Sequence, residues 1–253
     1  MDTDVVAYFR TADDVLVWIE RSFDELIPIF GFDECGQGER RVKEEAQPVR
    51  CAADLLDYLK RFNDCMIYGK RCEANMFRFR SDVPSEVVWW CDPDDPRIFE
   101  NWQTIFRGFA RGKAWYAASY CTGEYSDRHD IDIPAEDEFG RMDWGARLGT
   151  DIRRYIPGLY WLNYFSHDYC NHLGIDVEEL VRRTGAERYD YPEGVVLKLY
   201  DHPHHWEAHR DRILDAIDPI PYVFSLRRVD PVPEGLTPPE ARQWGEQMHR
   251  RWP

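Results

Sequence analysis

The residues best suited to chemistry lie at Asp201-His202-Pro203-His204-His205-Trp206-Glu207-Ala208-His209. His205 and His209 are four residues apart, so on a helix both imidazoles share one face, as two metal ligands would. With Asp201 they define a candidate site for a metal-dependent hydrolase. The zinc-hydrolase pattern H-E-x-x-H, however, needs a glutamate directly after the first histidine. Trp206 holds that position, and Glu207 comes one residue too late. The pattern therefore favours surface histidines at a helix entry, and no cofactor is expected.

A second candidate is His167-Asp168 with Cys170 or Cys121 as a nucleophile dyad. Three residues on one short helix suit local packing better than catalysis, and no signature of a cysteine enzyme surrounds either thiol. Carboxylate pairs occur at Asp13-Asp14, Asp94-Asp95 and Glu136-Asp137-Glu138. Their abundance reads as solvated surface. Gly36 and Gly38 lack the strand-to-helix setting of a phosphate loop, and no G-x-S-x-G occurs. The expectation is a protein that is not an enzyme.

The elements that would position these residues follow from periodicity. Helical spacing of Val15, Leu16, Trp18, Ile19, Phe23, Leu26 and Ile27 predicts a helix capped by Thr11 or Asp13 and ended by Pro28 and Gly31. Further helices are expected at 51–62 and 97–111, and strands at 5–10, 75–80, 86–90 and 113–120. Residues 33–48, with the charge cluster Arg40–Glu45, read as a surface loop. Turns are expected at 83–85 and 92–96. The dense run Leu159–Phe165 after Pro157-Gly158 predicts a strand buried on both faces. Helices at 167–173 and 177–183, a hairpin of 186–191 with 195–200, a helix at 206–217 and a last strand at 222–227 complete the pattern.

Both parts thus read β-α-α-β-β-α-β. The expected fold is α+β, with two ferredoxin-like (split β-α-β) halves whose antiparallel sheets are covered by helices and sit side by side or fused. The divisions are 1–121 for the first half, 122–150 for an acidic connecting segment, 151–230 for the second half and 231–253 for a proline-rich tail, together one unit. The tail is expected to carry a helix at 239–250 that packs Trp244 or Trp252 onto the body.

The formal charge of −15 disfavours nucleic acid and would steer a basic partner. Seven cysteines, an odd number without C-x-x-C, read as free buried thiols. No apolar window approaches a membrane span, and the start MDTDVVAYFR is acidic where a signal peptide is basic. No membrane contact and a cytoplasmic location are expected, and the sequence admits a homodimer.

The stretch Pro157-Gly158-Leu159-Tyr160-Trp161-Leu162-Asn163-Tyr164-Phe165 resembles the bacterial type VI secretion immunity family and related polymorphic-toxin immunity proteins. The pattern P-G-x-Y-W-x-N is followed by a small helix and Leu173-Gly174. The later Gly194–Leu199 segment with its trailing Pro203 extends the resemblance over about 150–230. These are core and turn residues, so they speak to fold more than to activity. The resemblance implies tight binding and neutralisation of a cognate toxin with a basic surface. The surface it implies is the acidic segment Asp127, Asp130, Asp132, Glu136, Asp137, Glu138, Phe139, Asp143 and Trp144, with Ile131 and Ile133 as further anchors. A solvated linker is the competing reading of that segment. For the whole chain, a metal-dependent hydrolase or a structural subunit of a phage or secretion assembly are the alternatives.

Overall fold

A computed structural model of the chain describes residues 3–37, 46–62, 65–69, 72–76, 85–91 and 96–253. The first half runs β1 (Thr3–Phe9), α1 (Ala12–Phe30), β2 (Phe32–Gly36), β3 (Gln47–Pro48), α2 (Ala52–Leu59), β4 (Cys65–Gly69), β5 (Cys72–Met76), β6 (Ser85–Cys91), α3 (Pro96–Arg111) and β7 (Tyr116–Cys121). Then come α4 (Thr122–His129), β8 (Asp130–Asp137) and β9 (Gly140–Arg147). The second half is β10 (Leu162–Ser166), α5 (His167–Leu173), α6 (Val177–Thr184), β11 (Glu187–Tyr191), β12 (Gly194–Lys198) and α7 (Trp206–Ile217), followed by α8 (Pro238–Arg251).

Local chemistry sets the helix ends. The Thr11 side chain accepts from the Asp14 N–H at the start of α1, and Gly31 stops that helix in the left-handed region at φ 67°. Pro28 lies inside the helix, so the glycine alone is the stop. Ser166 and Asp176 cap α5 and α6 as their sequence suggests.

The protein is α+β, and its two halves share one ten-stranded sheet in the order β11-β12-β10-β7-β1-β6-β5-β4-β2-β3. Within the first half, β7-β1-β6-β5 is the order of a ferredoxin-like unit, all antiparallel, extended beyond β5 by β4, β2 and β3. In the second half β11-β12-β10 repeats three of those four places. The fourth place, beside β10, is taken by β7, which pairs Phe165 with Tyr116 and Asn163 with Ala118. This explains why 222–227 is not a strand: its expected slot is filled. That segment makes a single bridge, Val223 to Ile156, and a 3₁₀ turn over Leu226–Arg228.

Other differences have equally local causes. Phe32–Gly36, expected in a loop, pairs with β4. β4 itself, CMIYG, is buried at Cys65 to Tyr68 and shows no alternation for a sequence reading to find. The strand expected at 75–80 begins at Cys72, and 77–84 lie outside the described residues, as do the acidic turn at 92–95 and the Arg40–Glu45 cluster. The connection 122–150 is not a loop but a helix and a hairpin. Ile131, Ile133 and Ala135 alternate opposite Ala146, Trp144 and Met142, which gives the hairpin one apolar face.

Strand alternation divides the core into two layers. On one face α1 and α3 bring Trp18 and Phe109 onto Phe9 and Trp89, with ring centroids 5.2–6.1 Å apart. On the other, Tyr169 of α5 stacks on Tyr116 and Phe165, and Tyr125 of α4 on Tyr120. The run ahead of β10 turns through Asn163, which is fully buried. Its Nδ2 donates to the Tyr160 carbonyl at 2.9 Å and its Oδ1 accepts the Tyr160 N–H at 3.1 Å. The sequence pattern Tyr-Trp-x-Asn is therefore a backbone clamp. Gly149, at φ 71°, lets the chain pass against Phe224, where a Cβ would come within 2.0 Å of the ring.

Asn163→Leu keeps the branched outline of the side chain, though not its volume, and orphans a buried N–H and a buried carbonyl. It should cost about 3 kcal/mol of unfolding free energy, read from urea denaturation. A loss below about 1 kcal/mol would show that the clamp is dispensable.

Candidate functional site

The hairpin β8–β9 with α8 forms a layer outside the main sheet. Its small core contains Ile133, Ala135 and Ala241, with Ile131, Trp144, Leu236 and Trp244 packed around them. α8 begins in a capping box between Thr237 and Glu240. Arg242 of α8 lies over the Trp144 ring, 4.9 Å from its centroid. The far face of the hairpin carries Asp130, Asp132, Glu136 and Asp143, all exposed. At the tip, Asp137 accepts the Phe139 N–H at 2.8 Å, and Glu138 and Phe139 project beyond it. Phe139 is 89% exposed and Met142 40%. From 130 to 147 there are six carboxylates (Asp130, Asp132, Glu136, Asp137, Glu138, Asp143) and two arginines (Arg141, Arg147), a net charge of −4.

Not all of the sequence-derived residues share this finger. Asp127 is on α4 and forms a two-pronged ion pair with Arg210 of α7, at 2.6 and 3.0 Å. Asp130 is held the same way by Arg147, at 2.7 and 3.0 Å, and that partner keeps its carboxyl below the usual range. Asp143 meets Arg141 at 3.3 Å. The structure thus brings together Asp132, Glu136, Asp137, Glu138, Phe139 and Asp143 as the outward surface. Trp144 faces the groove beside α8, and Asp127 is set apart.

The base of the finger is a buried polar network that the sequence reading missed. Glu124 and His129 are fully buried and Arg128 is 5% exposed. Arg128 Nη2 donates to Glu124 Oε1 and the Tyr200 hydroxyl to Oε2, both at 2.6 Å. Burial pushes the Glu124 carboxyl up, against the pull of Arg128 and Tyr200. His129 Nδ1 donates to the Leu148 carbonyl at 2.6 Å, so Nε2 must accept the Tyr160 hydroxyl, also at 2.6 Å. That assignment needs a neutral ring. Burial enforces it, lowering the His129 pKa to about 4. The only sequence trace of this network is the four-residue spacing of Glu124 and Arg128, which any exposed helix can show.

The other candidates disperse. Asp201 bonds Lys198 at 3.2 Å, His209 stacks on Tyr200, and His205 lies beside His202 and just before α7. Among the described residues, no three His, Cys, Asp or Glu side chains converge as metal ligands would. Burial pushes the Cys170 thiol up to about 11, opposite to what a nucleophile needs, and Cys121 is buried. His167 and Asp168 lie on the surface near Arg10, which approaches Asp168 at 3.8 Å. No helix among the described residues is long and apolar enough to cross a membrane.

Comparison with known proteins gives a fold likeness. No protein-family model and no curated protein matches the chain. Among solved structures, the chain is similar to the Pseudomonas aeruginosa T6SS protein PA0821, with a TM-score of 0.57 and 13% identity over 98% of this chain and 81% of that one. At that identity the likeness shows the fold.

The buried histidine predicts an acid limit. An unfolded imidazole binds its proton near pH 6.5 and the folded one near 4. The contribution is present above pH 6.5 and is lost as pH falls toward 4, about 3 kcal/mol in all. Urea unfolding between pH 7 and 4 should show this slope, and His129→Gln should flatten it. A variant with the parent's slope would assign the loss to other groups.

Proposed function

We propose that the chain is an immunity protein, a non-enzymatic inhibitor that binds a cognate secreted toxin in the cytoplasm and neutralises it. The observation that carries this reading is the acidic hairpin with Phe139 bare at its tip. A large aromatic left in water serves a stable fold poorly, but it is the side chain type that anchors a protein interface once a partner covers it. The charge around it suits a basic partner surface. Carboxylates at the rim speed encounter and set orientation, while the aromatic supplies retention. Many toxins that cut nucleic acid need a basic cleft for phosphate, and a narrow acidic finger has the charge to occupy one. The fold likeness to a T6SS protein and the Tyr160–Asn163 pattern support a secretion-linked setting.

The geometry also says which acids to change. Asp130 and Asp137 hold the hairpin together, so Asp132, Glu136, Glu138 and Asp143 are the charges to neutralise. The parent chain should restore growth to cells expressing its cognate toxin. Phe139→Ala should weaken binding about tenfold or more, mostly through faster dissociation. The combined D132N/E136Q/E138Q/D143N variant should slow association and reduce its salt dependence. Affinity and rates unchanged in both variants would remove the finger as the contact surface.

A further inference from the structure

The two-stranded sheet β8–β9 has one covered edge and one open edge. The Glu136 N–H donates to the Leu236 carbonyl at 3.1 Å, and Ala135 bridges Leu236, so the segment before α8 meets the outer edge of β8. The register fixes what β9 presents on its own outer edge. The Leu148 N–H donates to the His129 carbonyl opposite it, and bonded pairs alternate along an antiparallel ladder. Ala146, Trp144 and Met142 therefore bond inward to β8. The N–H and C=O groups of Arg141, Asp143, Gly145 and Arg147 point the other way. Among the described residues no backbone group meets them.

Edge strands are normally blunted by proline, by bulges or by charged side chains laid across them. β9 has no proline, and its register against β8 is unbroken. Its two arginines are drawn aside, Arg147 onto Asp130 and Arg141 onto Asp143. A Cβ at Gly145, near the middle of the open edge, would meet nothing within 4 Å. Beside this edge, on the side of α8, a groove of about 440 Å³ is walled by Ile133, Trp144, Ala146, Ala241, Arg242 and Gly245. Trp144 keeps its indole N–H buried without a hydrogen-bond partner among the described residues. On the opposite face stand the exposed carboxylates of Asp132, Glu136 and Asp143.

We propose that an extended segment of the partner protein adds to β9 as a third strand, with basic side chains over the Asp132–Glu136–Asp143 face and apolar side chains in the groove beside Trp144. This rests on the reading of the hairpin as the contact surface and gives that contact its mode. Main-chain bonds to Arg141, Asp143, Gly145 and Arg147 supply affinity, and the two unlike faces of the hairpin select the alternation. A partner strand of alternating Lys or Arg and apolar residues satisfies both. A second copy of this chain fits less well, because it would bring another hairpin of net charge −4 against the first.

The test uses the full chain and a capped nine-residue peptide alternating Lys and Val. One control has the same composition in two blocks, and another alternates Glu and Val. The alternating basic peptide should bind best. It should slow amide exchange at Arg141, Asp143, Gly145 and Arg147 about tenfold or more, whereas Met142, Trp144 and Ala146 are protected beforehand. Gly145→Pro removes an outward N–H without touching the β8 ladder, and should weaken binding about tenfold, against about twofold or less for Gly145→Ala. The inference is overturned if the block peptide binds equally well, if the four amides gain no protection, or if Gly145→Pro binds as the parent does. It is also overturned if Gly145→Pro converts a dimer of this chain to monomer, since the edge is then covered by a second copy. Loss of neutralisation by Phe139→Ala with full neutralisation by Gly145→Pro would leave the immunity reading standing and remove strand addition alone.

Discussion

A carboxylate removed from water must have its hydrogen bonds supplied by the protein, and Glu124 has both oxygens bonded. Arg128 gives one nitrogen to it and rests over the Tyr160 ring, with Nε and Nη1 buried and without a partner among the described residues. Glu124 is satisfied by Arg128 on its own helix and by Tyr200 after β12, 76 residues away in sequence. The next residue, His129, reaches Leu148 and Tyr160. Three separate segments are thereby tied to the two turns of α4. The chain leaves the main sheet at β7 and can go only where this knot sends it, out into the hairpin. Burial of such a pair is weak evidence of net stability, since apolar residues could fill the same space. Its consequence is direction: the hairpin leaves at one angle and keeps it.

The second constraint is the common strand. β7 is buried along its whole length, with Ala117, Ala118 and Ser119 at its centre. Its two edges hold β1 and β10 by backbone pairing, and the bulky side chains of Tyr116 and Tyr120 fill the layer under α4 and α5. The helices of the two halves consequently lie on opposite faces of one sheet. Each half has a layer that it could not cover alone. α3 shows this directly, since Phe99 and Trp102 reach across to Trp161 and Tyr189 of the second half.

How much of this was legible in the sequence depends on whether the cause was local. Thr11, Ser166, Asp176 and Gly174 act within a few residues of themselves, and the helix ends they mark are found where the sequence puts them. The helix at 206–217 was equally plain, and the strand expected at 159–165 is present but begins only at Leu162, after the turn that Asn163 clamps. β4 was not, because a short strand covered on both sides loses its alternation. The absent strand at 222–227 could not be read either, since what displaces it is a strand a hundred residues earlier. The acidic segment was legible as charge and misleading as structure. Its alternating Ile131, Ile133 and Ala135 carried the strand signal beneath a count of carboxylates that suggested a linker. Asp127 and Asp130 look in sequence like the rest of that group. Only their distance to Arg210 and Arg147 shows that they brace the structure.

The shared strand bears on how the molecule comes apart. Two repeats joined by a linker can melt one after the other, and a cut between them can leave two folded pieces. Here a cut after β7 would strip β10 of its neighbour, and a cut before it would strip β1. Either piece would expose a bare central edge lined with tyrosine and phenylalanine. A strand shared in this way is expected to make the two units that repeat along the chain unfold as one cooperative body.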